Sequence, residues 1–352
     1  MAIKITGLGS YIPDVVTTND SFGKHQFLNM DGSAINSDNT IIIEKFKAIT
    51  GIEERRYAPS ELKSSDLGTR AAQKAIDDAG VDPETLDYII CAHNYGDVQK
   101  GSNFSDIVPS LASRIKYNLR IKNPKCVAYD ILFGCPGWIE GVIQAQAYIK
   151  AGMARKCLVI GTEMLSRVVD NHDRDSMIYS DGAGASIIEQ DDSNTGILAF
   201  ETATFTYDEA FFLFNGSSYN TEAEQQTKYI KMYGRKIYNF ALTQVPQAMK
   251  TCLENSGCSI DEVKKIFIHQ ANEKMDEAIV SRFYKLHELE MPEHIMPMSI
   301  AKLGNSSVAT VPTVFDLVRT GALENHEINK GDVIIFASVG AGMNINAIVY
   351  RY

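Results

Sequence analysis

With 352 residues, 45% of them apolar and 22% charged, the chain can bury a core sufficient for two domains or one large double unit, and it reads as globular. It has no apolar run of about 18 residues, so a transmembrane helix is not expected. Its 34 basic and 44 acidic residues leave a net charge of −10, and it has no finger pattern or basic arm, which argues against nucleic-acid binding.

The opening stretch MAIKITGLGSYIP lacks a charged leader, an apolar signal core and a cleavage site, and is expected to be the first strand. Residues 20–45 and 94–110 show little periodicity and are expected to be long loops. Elsewhere strand-like runs alternate with helical ones: YIICAH, CVAYDIL, CLVIGTE and GASIIEQ, then KIFIHQ, VIIFASVG and NAIVYRY. That alternation predicts an α/β architecture with buried sheets. No low-complexity linker divides the chain.

Cys91, Cys126, Cys135, Cys157, Cys252 and Cys258 are scattered without a CxxC pair, so neither a disulfide framework nor a zinc site is predicted. Four of them lie in apolar runs, where cysteine serves as a small hydrophobe. A reducing, cytoplasmic location is expected. The stretch KYIKMYGRK, with Lys228, Lys231, Arg235 and Lys236, is the candidate basic patch for an acidic partner; its alternative is an ordinary solvated face.

The chain also resembles itself. Residues 72–92, AQKAIDDAGVDPETLDYIICA, align without a gap to 249–269, MKTCLENSGCSIDEVKKIFIH, at an offset of 177. Gly80 meets Gly257, and glycine just past a helix end is the expected stop. A second echo, at an offset of 170, sets VAYDILFGCPG beside MPMSIAKLGNSS. Two duplicated α/β halves follow, 1–190 and 191–352. Cys135 then becomes the counterpart of Asn305, and His269 that of Ala92. Ligands collect at strand C-terminal ends in such sheets, so Cys135, His269 and Asn305 are expected to converge.

In DILFGCPGWIEG, Cys135 sits between Gly134 and the pair Pro136-Gly137, where a helix is predicted to start. A helix N-terminus favours the thiolate, and proline suits the first helical position. The Cys135 N–H and one from the glycine loop SVGAGM could bind an oxyanion. Taken singly, Gly-Cys-Pro-Gly is compatible with a turn, His269 with a structural histidine and Asn305 with a turn residue. Occurring together at matched corners of a repeat, they point to one site.

The motifs GCPG, HQAN, LGNSSVATVP and VGAG resemble those of the β-ketoacyl-acyl carrier protein synthase III family of thiolase-fold condensing enzymes. The resemblance runs from GLGSYIP through TGIEER (50–55), CLVIGTEMLSR (157–167) and SDGAGAS (180–186) to the end. It implies a thiolase-like α/β fold layered αβαβα, and a decarboxylating Claisen condensation without a cofactor or metal. It also implies acyl thioester substrates, an acyl carrier protein partner and a homodimer. By matching motif, Cys135 resembles the acylated nucleophile, while His269 and Asn305 resemble the pair that binds the malonyl thioester carbonyl. Gly342 matches the glycine whose N–H completes the oxyanion hole with Cys135. Asn272 falls on the pantetheine side, and Lys274, Arg235 and Lys236 could steer the acidic carrier.

Three departures stand out. Gly-Cys-Pro-Gly replaces the usual Ala-Cys-Ser-Gly or Ala-Cys-Ala-Gly, so Phe133, Pro136 and Trp138 are expected to reshape the acyl pocket. Lys45 and Ile49 occupy the places of the tryptophan and arginine that clamp adenine, which favours a carrier-bound primer over a coenzyme A primer. Val108 stands where an aromatic residue reaches across the dimer, which leaves room for a longer or branched acyl group. Alternatives are a specialised ketosynthase joining two acyl chains, of the dialkylresorcinol or cyclohexanedione type, and a Cys-His-Asn thioester hydrolase or acyltransferase. A non-catalytic tunnel-shaping subunit would be expected to lose its nucleophile, and Cys135 is present.

Overall fold

The computed structural model describes residues 2–102, 104–191 and 195–352. Its first sheet contains β1 (Ala2–Tyr11), β2 (Tyr88–Ala92), β3 (Val127–Ile131), β4 (Lys156–Met164) and β5 (Asp181–Asp191), ordered β1-β5-β4-β2-β3. The second contains β6 (Gly196–Thr204), β7 (Val263–Ile268), β8 (Val333–Gly340) and β9 (Asn344–Arg351), ordered β6-β9-β8-β7. The two orders coincide strand for strand. In each sheet two antiparallel pairings are followed by a parallel one, and β3 adds a further parallel strand to the first sheet.

Five layers result. Helices Ser64–Ala79 and Leu111–Asn118 cover the outer face of the first sheet through Leu67, Ala71, Ala75 and Ile115. Helices Gly137–Lys150 and Thr310–Arg319 lie between the sheets, where Val142, Val314 and Phe315 pack with Phe267 and Phe336. Helices Gly234–Ser256 and Glu273–Lys285 cover the second sheet through Val245, Met249, Ile279 and Phe283. The thiolase-like α/β fold is therefore the one present. β4 and β8 are buried along almost their whole length and so read as continuous apolar runs. Burial of Cys91, Cys126, Cys157 and Cys252 follows from their places in or beside such runs. Among the described residues, no helix is long and apolar enough to cross a membrane.

Three local expectations need correcting. Residues 20–45 are not one loop: helix Asn39–Thr50 starts within them, with the Asp38 carboxylate accepting from Thr40 N–H and Gly51 in the left-handed region closing its end. Residues 94–110 include a short antiparallel pair, Asp97–Val98 with Ser105–Asp106. Lys231, read as part of a surface patch, is buried and bonded to Asp170 at 2.7 Å and Asp173 at 3.1 Å, with its ammonium 3.3 Å from the Tyr219 ring centroid. An ammonium without water must be paired, and this one braces loop against strand.

Arg55 is also fully buried. Its Nε and Nη2 donate to Met177 O, Nη1 to Thr17 O and Nη2 to Asn19 Oδ1, while its guanidinium stacks 4.8 Å from the Phe22 ring centroid. Burial lowers it to about 10, so it stays charged at neutral pH. It ties the N-terminal strands to the segment Arg174–Ile178. Arg55→Met should strand these acceptors and lower stability by about 1–3 kcal/mol, read as a reduced urea midpoint.

Candidate active site

Three loops meet at one cavity of about 710 Å³. Cys135 precedes helix Gly137–Lys150, His269 follows β7, and Asn305 precedes helix Thr310–Arg319. All three line the cavity, so the corners related by the sequence repeat do converge. The rest of the wall is largely apolar and includes Ile42, Phe46, Leu165, Ile178, Met275 and Met343. Its size suits a small-molecule or acyl-chain site.

Main-chain contacts set each corner. His269 N–H donates to Ala337 O at 2.9 Å. Asn305 N–H donates to Ile178 O at 3.0 Å, and Ser180 N–H donates to Asn305 O at 2.8 Å, so the Asn305 loop is held against the first sheet. Ser307 N–H donates to Asn305 Oδ1 at 2.8 Å, which leaves the Asn305 Nδ2 hydrogens for a ligand. Ser307 and Met343 both hold positive φ, +55° and +48°, on the cavity wall. Such backbone costs energy in a non-glycine residue, so both are held in place by their surroundings.

The glycine motifs flanking the sulfur are explained by close approach. A Cβ on Gly340 would lie 2.3 Å from Cys135 N, and one on Gly134, whose φ is +69°, would lie 2.6 Å from Ala341 N. Only glycine permits this contact of main chain on main chain.

Burial acts on the two titratable side chains in opposite directions, because each resists its charged form. The Cys135 thiol is pushed up to about 11, although Ser307 and its own N–H pull the other way. The helix start behind it also favours the thiolate but does not outweigh loss of water. His269 is pushed down to about 4, and its Nδ1 has no hydrogen-bond partner among the described residues. At neutral pH the pair is therefore thiol and neutral imidazole.

The model of 3-oxoacyl-[acyl-carrier-protein] synthase III matches residues 129–205, and that of its C-terminal part matches residues 253–352. A β-ketoacyl-[acyl-carrier-protein] synthase III of Halalkalibacterium halodurans is 31% identical over 349 residues, covering 99% of this chain and 98% of the relative. One from Porphyra purpurea is 32% identical over 360 residues and covers 100% of both. The crystal structure of 3-oxoacyl-[acyl-carrier-protein] synthase III from Aquifex aeolicus superposes with a TM-score of 0.80 at 29% identity, covering 99% of this chain and 100% of that one. The chain belongs to the β-ketoacyl-[acyl-carrier-protein] synthase III family.

Within this synthase III chain several of the anticipated site residues lie elsewhere than expected. Trp138 is 1% exposed, donates from Nε1 to Ser186 Oγ at 3.2 Å and packs edge-on to Phe336, so it belongs to the central layer and not to an acyl pocket. Pro136 is buried beneath Gly340. Phe133 is half-buried, its carbonyl accepting from Asn344 Nδ2, and neither residue lines the cavity. Past Cys135 the chain turns into the inter-sheet helix and carries Pro136 and Trp138 away from the wall, so of this motif only Gly134 and Cys135 line it. Val108 is 82% exposed and does not line its own chain's cavity.

Val339, Gly340, Ala341 and Met343 are the wall residues of the glycine loop, and Gly342, at φ +77°, is not among them, contrary to the place expected for it in the oxyanion hole. Asn272 and Arg235 do line the cavity, Asn272 also capping its helix by accepting from Met275 N–H. Lys274 and Lys236 are exposed and off the wall. Lys45 and Ile49 are on it, brought there by helix Asn39–Thr50.

Sequence patterns alone did not single out Asn94, Glu163 and Ser307, which form a hydrogen-bonded line beneath Cys135. A signal existed: Glu163 is the one charged residue inside the buried part of β4.

The lowered His269 sets a sign. Unfolded, the ring protonates near 6.5, and folded only near 4; its contribution to stability is therefore lost as pH falls from 6.5 towards 4. In a histidine NMR titration His269 should stay neutral until about pH 4, and a midpoint near 6.5 would contradict the dry site.

Proposed function

We propose that this chain is a decarboxylating acyltransferase that condenses an acyl group held on Cys135 with a malonyl- or β-ketoacyl-thioester on acyl carrier protein. The Cys135 sulfur attacks the first thioester; its carbon–sulfur bond breaks, and the departing thiol takes the cysteine proton. A malonyl thioester then loses CO2, and His269 and Asn305 donate to the enolate oxygen. The enolate carbon attacks the Cys135 acyl carbonyl, with the Cys135 N–H and one from the glycine loop that faces it as oxyanion donors. Collapse releases the β-ketoacyl product and the thiolate.

The observation that carries this reading is the convergence of Cys135, His269 and Asn305 on one largely apolar cavity, with the Asn305 oxygen occupied and its amide hydrogens kept for a ligand; the burial that lowers His269 agrees with it. Neutral donors stabilise an enolate without handing it a proton. The same burial weighs against a Cys-His-Asn hydrolase: a base near 4 is poorly matched to a thiol near 11.

A specialised ketosynthase role has its own support. Lys45 and Ile49 line the cavity with Ile35, Ile42 and Phe46, in the places where the family carries its tryptophan and arginine clamp. We therefore favour a primer delivered by a carrier protein, with Arg235, Lys236 and Lys274 facing its acidic surface. Residues 1–190 would be the half carrying the nucleophile and 191–352 the half carrying His269 and Asn305. We place the protein in the cytoplasm, where its six free thiols are compatible with a reducing medium.

The outer edge of β3 has no partner strand among the described residues, and exposed Val127 and Leu132 lie at its ends, with Phe104, Ile107 and Val108 exposed on the preceding loop. Such an edge favours pairing with a second copy, and we propose a homodimer across it. Light scattering should give twice the chain mass, and Leu132→Arg should shift it towards the monomer.

Exposure to a panel of acyl thioesters should leave one acyl adduct on Cys135 by intact mass, absent from Cys135→Ala. Addition of malonyl carrier protein should then release a β-ketoacyl product. Free acid as the main product would favour the hydrolase, and rapid acetoacetyl formation from acetyl-coenzyme A would remove the specialised role.

A further inference from the structure

Beneath the nucleophile lies a polar line of four residues from four separate segments. Glu163, wholly buried at the end of β4, accepts at Oε2 from the Asn94 backbone N–H at 2.9 Å and from Asn94 Nδ2 at 2.5 Å. Asn94 Nδ2 also lies 3.1 Å from Ser307 Oγ, and Ser307 Oγ lies 3.4 Å from Cys135 Sγ. Glu163 Oε1 is buried without a hydrogen-bond partner among the described residues, and Asn94 supplies both of the hydrogen bonds to Oε2.

Donor counting gives the line a direction. A carboxylate oxygen only accepts, so the Asn94 side-chain atom facing Oε2 is the nitrogen. That nitrogen has two hydrogens; one goes to Glu163 and the other to Ser307 Oγ. The Ser307 oxygen is then an acceptor towards Asn94, and its single hydrogen points to the sulfur. The serine backbone is fixed in this orientation, with φ at +55° and its N–H bound to Asn305 Oδ1. Ser307 thus touches the nucleophile through its hydroxyl and orients the Asn305 amide through its backbone.

We propose that Ser307 is a further catalytic residue that donates its hydroxyl hydrogen to the Cys135 sulfur, and that Asn94 and Glu163 are positioning residues that aim it. A hydrogen bond to sulfur stabilises thiolate more than thiol, so its effect is greatest as the proton leaves and again as the thiolate departs from the condensation product. Ser307 keeps its own proton throughout; the cysteine proton leaves with the carrier thiol. The Ser307 hydrogen bond offsets part of the burial that raises the thiol, while the charge of Glu163 acts the other way, so the carboxyl works through position alone.

The proposal rests on Cys135 being the acylated residue, and its test separates the two. Alkylation of Cys135 by iodoacetamide, followed by peptide mass against pH, reads the thiolate without requiring any acyl substrate. Ser307→Ala should move that profile to higher pH and slow single-turnover acylation about tenfold to a hundredfold, the range for one hydrogen bond to a charged group. Ser307→Gly relieves the positive φ, so it should be as slow as Ser307→Ala if the hydroxyl matters and as fast as wild type if only the backbone does. Asn94→Ala should give a smaller shift in the same direction. A wild-type alkylation profile in folded Ser307→Ala, or wild-type rates in Ser307→Gly, would overturn the proposal. Loss of acylation in Cys135→Ala alone, with no effect in the serine variants, would leave the condensing function standing without it.

Discussion

Everything at this site depends on two loops meeting main chain to main chain. Gly134–Cys135 ends the β3 crossover of the first sheet, and Gly340–Ala341 ends β8 of the second; no Cβ fits between them. This contact joins the two sheets at the sulfur and leaves the inter-sheet helix no direction but inward from Gly137. The cysteine is consequently presented at a helix start, while the residues after it become core.

Dryness follows from the same packing. The cavity wall is largely apolar, and the polar groups nearest the sulfur have defined tasks. Asn305 has its oxygen occupied and its amide hydrogens free; Asn94 has both amide hydrogens directed; His269 is neutral because burial disfavours its charged form. Loss of water also raises the thiol, a cost that condensation chemistry tolerates because the acyl-enzyme carries no thiolate. Placing neutral donors where charge develops is an effective way to stabilise an enolate, since nothing has to reorganise as the charge appears.

Much of the architecture was legible because it is written in local patterns. Buried parallel strands leave continuous apolar runs, and all seven strands anticipated from such runs are present. β6 escaped because its outward positions alternate with partly buried ones and no long apolar run marks it. Helix Asn39–Thr50 escaped for a similar reason: only Ile42, Phe46 and Thr50 are buried, and the remaining apolar residues face the cavity or solvent. Lys231 was misjudged because it was grouped with Lys228, Arg235 and Lys236 near it in sequence, while its partners, Asp170 and Asp173, are some sixty positions away.

By itself the sequence determined the fold class, the internal duplication and the three corners at Cys135, His269 and Asn305, because strand periodicity, helix stops and glycine turns are properties of adjacent residues. Only the tertiary structure decided which side chains face the cavity. It turned Trp138 and Pro136 into the core, brought Lys45 and Ile49 to the wall, and set Glu163, Asn94 and Ser307 in line beneath the sulfur. Burial and donor direction depend on which distant segment arrives opposite a residue, and that is settled by packing, not by the residue's neighbours in the chain.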